Sequence, residues 1–119
     1  MVVKSGGSGN DLLHGGSGAD KFAFYSKNEG IDTIIDFDVR SDKIQVDDRG
    51  FGGGLRRGTL DSSQFTIGSR ASDRSDRFIY NNRTGALFFD ADGIGGSAQV
   101  QFATLDRGLN LSSSDIVVF

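Results

Sequence analysis

Gly6-Gly7-Ser8-Gly9-Asn10-Asp11-Leu12-Leu13-His14, followed without a gap by Gly15-Gly16-Ser17-Gly18-Ala19-Asp20-Lys21-Phe22-Ala23, is the stretch on which the fold turns. Both nonapeptides obey the pattern G-G-x-G-x-D-x-U-x, with U apolar. Glycine tolerates left-handed dihedrals, so each Gly-rich half can turn sharply and aim main-chain carbonyls inward. The aspartate adds hard anionic oxygens, and Ca²⁺ takes about six to eight oxygens in a flexible geometry. The last three residues of each unit form a short strand whose apolar member, Leu13 or Phe22, faces the core. One such unit could be a flexible linker; two in perfect phase point to a repeat architecture, and repeats of this pattern wind into a parallel β-helix.

The composition agrees. Fifteen Asp stand against a single Glu, Glu29, and there are 18 Gly and no Pro. Aspartate forms helices poorly and turns well, so β-structure with many turns is expected. At 119 residues the chain is one domain, and its ten Phe, with no Trp and one Met, build the core together with Ile, Leu and Val. The net charge of −3 argues against a general nucleic-acid binder, and the nine Arg, all from Arg40 onward, read as a solvated surface. There is no Cys, so an extracellular domain of this size needs another staple, which bound metal would supply. No apolar run is long enough to span a membrane, and Met1 to Ser5 has no signal-peptide core. An array opening at residue 6 points to a piece of a longer protein with further repeats upstream.

Along the chain, strands are predicted at 21–25, 31–37 and 42–47, the last with clean period-two alternation. Residues 50–58 read as a loop, and 60–65 as holding one helical turn. Residues 77–80 and 86–90, joined by a turn at 81–85, form a hairpin; strands at 98–103 and 115–119 complete the chain. The expected fold is all-β: a short parallel β-roll over residues 1–48, capped by an antiparallel sheet or sandwich over 49–119.

With two nonapeptides per coil, loops eighteen residues apart stack on one edge, and a cation between them needs carboxylates from both. Eighteen residues after Asp11 lies Glu29, with Asp32 three further on. One well-formed site is therefore expected from Gly6, Ser8, Asp11, Glu29 and Asp32. A weaker half-site would use Gly15, Ser17 and Asp20, with Asp38 eighteen residues beyond Asp20 in a different context. The bland reading of Glu29 and Asp32 is a pair of solvated turn carboxylates. Phe89-Asp90-Ala91-Asp92-Gly93 looks like the start of an EF-hand loop, but its twelfth position is Gln101 rather than Glu, and a hairpin turn fits better. His14, the sole histidine, occupies a variable repeat position and is given no catalytic or zinc role. Asp36 and Asp38 are read as turn residues rather than paired acid/base groups, with a contribution to the metal edge as the alternative for Asp36.

From Gly6 to Ile44 the chain resembles the RTX, haemolysin-type calcium-binding modules at the C-termini of type I secreted proteins, among them serralysin-like metalloproteases and alginate epimerases. The resemblance rests on the repeats, on Phe22-Ala23-Phe24, on Asp32-Thr33-Ile34-Ile35-Asp36-Phe37 and on Asp42-Lys43-Ile44. It implies that Asp32 and the acidic residue before it, Glu29, close the last calcium site. The end of the chain, Asp115-Ile116-Val117-Val118-Phe119, is similar to the acidic-then-apolar secretion signal of that group; its plainer reading is a final edge strand. The resemblance thus implies a non-enzymatic, secreted module of a Gram-negative-type bacterium, with calcium as cofactor and the type I machinery as partner. An upstream catalytic domain would precede it. The rival expectation is a polysaccharide-binding accessory module for an anionic glycan, or an adhesin, marked by a row of exposed Arg and aromatic residues. No nucleophile–base set supports an independent enzyme.

Overall fold

The computed structural model describes residues 9–14, 18–95 and 98–119 and the backbone of 2–4. The structure is all-β apart from single helical turns, in two mixed sheets. Its first five strands are β1 (Val2–Lys4), β2 (Leu12–His14), β3 (Asp20–Phe24), β4 (Asp32–Ile35) and β5 (Lys43–Val46). They fall alternately into the two sheets and pair in parallel, β1 with β3 and β3 with β5 in one, β2 with β4 in the other.

The later strands are β6 (Gly58–Thr59), β7 (Phe65–Ile67), β8 (Phe78–Tyr80), β9 (Ala86–Phe89), β10 (Val100–Thr104) and β11 (Ile116–Val118). They do not form a separate antiparallel layer. They extend the same two sheets, in the orders β1-β3-β5-β11-β6 and β2-β4-β10-β9-β8-β7. The expected hairpin is present as the antiparallel pair β8–β9, and β9–β10 and β6–β11 are also antiparallel. The joins β4–β10, β5–β11 and β7–β8 are parallel.

Period-two alternation puts every second side chain on one face, and the register lines those faces up. Phe22 lies opposite Ile44, which lies opposite Ile116; Phe24, Val46 and Val118 form the next row. All six are buried, and they share one core with Ile34, Phe78, Leu87, Phe89 and Phe102 of the other sheet. Phe24 and Phe102 meet edge to face at 5.1 Å between ring centres.

The loop expected at 50–58 begins instead as a helical turn, α1 (Asp48–Phe51). Asp47 caps it by accepting the Arg49 amide, and the turn delivers Phe51 into the core. There Phe51 lies within 5.1 to 6.1 Å of the rings of Phe78, Phe89 and Phe102. A Gly- and Arg-rich composition hides this turn because its cause, the burial of one phenylalanine, is tertiary. The helical turn expected within 60–65 is a 3-10 turn at Ser62–Gln64.

Candidate metal centre

Residues 9–11 lie against residues 29–33 through a chain of hydrogen bonds. The Gly9 amide donates to the Glu29 carbonyl (2.7 Å), and the Thr33 amide to the Asp11 carbonyl (2.8 Å). The Ile31 amide donates to Asn10 Oδ1 (2.8 Å), and the Asp11 amide to Asp32 Oδ1 (2.9 Å). Gly30 makes the close approach possible. Its φ is +108°, and a Cβ there would overlap the Gly9 carbonyl and come within 2.8 Å of Asn10 Oδ1. Gly30→Ala should therefore destabilise the domain by about 1–3 kcal/mol from backbone strain alone, read as a lower denaturation midpoint. A midpoint equal to the wild type would mean that these loops are not held together as described.

The arrangement crowds negative charge. Asp32 is buried, and burial pushes its carboxyl above the usual carboxylate value of 3.8; the Asp11 amide opposes this, while the charges of Asp11 and Glu29 add to it. Asp11 Oδ2 is itself buried and has no hydrogen-bond partner among the described residues. Asp32 thus feels the charges of Asp11 and Glu29, and Asp11 keeps an orphaned anionic oxygen, a crowding that a divalent cation would relieve. The sign of the pH effect follows. A carboxyl with a raised folded pKa binds more protons folded than unfolded, so its stabilising contribution is complete below 3.8 and is lost as pH rises through the folded value. Asp90 and Asp115 are also raised, chiefly by burial, and act in the same direction. In chelator, thermal stability should fall as pH rises above 3.8 through the interval in which these raised groups titrate in the folded protein. The exposed Asp38–Arg40 pair, whose Asp38 is lowered, opposes this only weakly because solvent screens it. A rising midpoint over that interval would contradict the assignment.

The register departs from an eighteen-residue period. Val2 pairs with Asp20, eighteen residues on, but Leu12 pairs with Thr33 and Lys21 with Lys43, twenty-one and twenty-two on. The connections at 25–31 and 36–42 are each longer than the one at 15–19. The position across the sheet from Asp11 is therefore Asp32, with Glu29 on the loop before it. On the other edge, Asp20 stands opposite Asp42 rather than Asp38. The Asp20 amide donates to Asp42 Oδ1 (2.8 Å), repeating the Asp11–Asp32 contact, and the Asp38 amide donates to Asp42 Oδ2 (2.9 Å). Asp20 and Asp42 are buried. Asp38 turns its carboxylate to Arg40, whose backbone amide, and then its guanidinium, hold it below the usual range. Asp42 is the residue that counting by eighteen misses; counting by strand, from Lys21 to Lys43, finds it.

Gly6, Ser8, Gly15 and Ser17 lie outside the described residues. Among the described residues, no group of three or more His, Cys, Asp or Glu side chains is close enough together to hold a metal ion. Asp90 and Asp92 form a tight turn, the Asp92 amide donating to Asp90 Oδ1 at 3.2 Å. The terminal segment is built into the fold. Asp115 is buried, accepts the Ser112 amide at 2.9 Å and lies 4.0 Å from Lys43 Nζ. Ile116 and Val118 are buried, and Phe119 packs edge to face on Tyr25 at 5.7 Å. The segment is thus an interior strand between β5 and β6, not the edge strand of the plainer expectation, because β6 closes over its outer side. Among the described residues, no helix is long and apolar enough to cross a membrane. Comparison with protein-family models and with curated proteins finds no match.

Proposed function

We propose that this chain is a calcium-binding module of the RTX type that folds outside the cell and carries a type I secretion signal for a larger protein. The observation that carries the reading is the bond of the Asp11 amide to Asp32 Oδ1 where the parallel strands β2 and β4 begin, in a chain with two unbroken nonapeptides. In this reading β1 to β5 are successive strands of a short parallel β-roll, two to a coil, and calcium is held at the loop edge by Asp11 and Asp32, with Glu29 within electrostatic reach. The Asp20 edge, where Asp42 accepts the Asp20 amide, forms the weaker half-site.

The mechanism is linkage. With calcium scarce, the carboxylates repel, and burying Asp32 as an anion disfavours the closed loops. Extracellular modules bind calcium with Kd of about 10⁻⁴ to 10⁻³ M. Binding to the folded form alone at ten-fold excess over Kd adds about 1.4 kcal/mol per site, a useful share of a stability of roughly 5–15 kcal/mol. The chain stays threadable inside and locks once outside. In this role it performs no reaction of its own.

Circular dichroism and calorimetry during a calcium titration of metal-free protein test the reading. Heat of binding in the submillimolar to millimolar range with a gain of β-signal or thermal midpoint is expected, and magnesium should not reproduce it. Identical folding and midpoint in chelator and in excess calcium would overturn it.

A further inference from the structure

The nine arginines look dispersed along the chain, but the fold gathers four of them. Arg56, Arg57, Arg74 and Arg77 border one open cleft of about 630 Å³ formed by residues 54–64 and 74–77. Arg77 is anchored by carbonyls, Nε donating to Gly53 (2.8 Å) and Nη1 to Arg74 (2.7 Å) and Asp76 (3.0 Å), so no carboxylate neutralises it there. Arg57 shares Asp48 in an exposed pair at 3.3 Å. Arg56 and Arg74 are exposed and have no ion-pair partner among the described residues. The one carboxylate on the wall, Asp61, caps the adjoining turn by accepting the Ser63 amide. A cluster of cations has thus been assembled on a chain whose net charge is −3. Among the described residues, the Arg57–Asp48 pair relieves only part of their mutual repulsion.

The lining restricts the ligand. Guanidinium forks match carboxylate and other oxyanions in a two-pronged geometry. Thr59, Ser63 and Gln64 offer hydroxyl and amide groups suited to partners that both donate and accept. No aromatic ring lines the cleft to stack a base, as single-stranded nucleic-acid sites require. We infer that this cleft binds an acidic oligosaccharide, a short hydroxyl-bearing chain whose carboxylates pair with Arg56, Arg57 and Arg74 while Arg77 holds the wall in place. The site shares no residue with the Asp11–Asp32 edge and stands independently of calcium binding there.

The test is calorimetric titration of the full chain with tetragalacturonate at low salt, beside neutral maltotetraose, sulfate ion and a short oligothymidylate. Arg56→Ser/Arg74→Ser removes the two unpaired cations, and Arg40→Ser/Arg83→Ser removes the same charge elsewhere; circular dichroism checks that both variants fold. Arg56→Lys/Arg74→Lys, which keeps the charge and the surface, serves if the serine pair does not. Tetragalacturonate should bind with an affinity that falls as salt rises, and the cleft pair should weaken it about ten-fold or more, by serine or lysine. The control pair should change it less than about two-fold, and the neutral sugar, sulfate and oligothymidylate should bind much more weakly. Equal losses in both serine pairs, equal binding of maltotetraose or oligothymidylate, or no binding of tetragalacturonate by the wild type would each overturn the inference.

Discussion

Replacing Asp11 and Asp32 together by Asn is expected to move stability in opposite directions with and without calcium. Asparagine keeps the carbonyl oxygen that accepts the Asp11 amide but removes the charges. The Asp32 carboxyl is raised by burial and by the charges of Asp11 and Glu29, so the neutral form is the one the metal-free fold prefers. In chelator at neutral pH the double variant should therefore unfold at or above the wild-type temperature. In excess calcium the order reverses, because the wild type gains roughly 1.4 kcal/mol at ten-fold saturation of this site. For a domain of this size that is a shift of several degrees, about 4–8 °C. Any residual calcium response in the variant comes from the Asp20–Asp42 edge, where Asp42 already accepts two amides. Differential scanning calorimetry in chelator and in calcium reads both signs in one experiment. A variant that keeps the full calcium shift would remove Asp11 and Asp32 from the metal edge.

Deleting residues 115–119 is expected to abolish folding outright, whatever the calcium concentration. The deletion removes β11, which bonds to β5 on one side and β6 on the other. It also empties two rows of the core by taking away Ile116 and Val118, both buried. Each such side chain contributes about 1.5–3 kcal/mol by burial, and each lost backbone hydrogen bond about 0.5–1.5 kcal/mol. The total rivals the whole stability of a small domain, roughly 5–15 kcal/mol. The truncated chain should show a disordered far-UV spectrum and collapsed amide NMR dispersion; a cooperative unfolding transition in it would show that β11 is dispensable. The same geometry bears on any export assay, since losing the tail removes the strand and the proposed signal together. Val117, half-buried and between the two inward residues, offers a separation. Val117→Gln should leave the domain folded while weakening an apolar signal, so reduced export of a folded variant is the expected result.

The short-range features were legible in the chain because their causes are short-range. Period-two alternation at 43–46 sorts Ile44 and Val46 inward, the turn at 81–85 joins Phe78–Tyr80 to Ala86–Phe89, and the two nonapeptides put Asp11 just before β2 and Asp20 at the start of β3. The acidic run after the repeats pointed to Asp32, which does meet Asp11. Three things lay beyond that reach: Asp42 as the counterpart of Asp20, β11 as an interior strand, and four arginines on one cleft. Each depends on which distant strands become neighbours and in what register. Local pattern determines which face of a strand turns inward, but register between strands answers to connection length and to the fit of side chains such as Phe51 and Phe102, and only the packed tertiary structure resolves that.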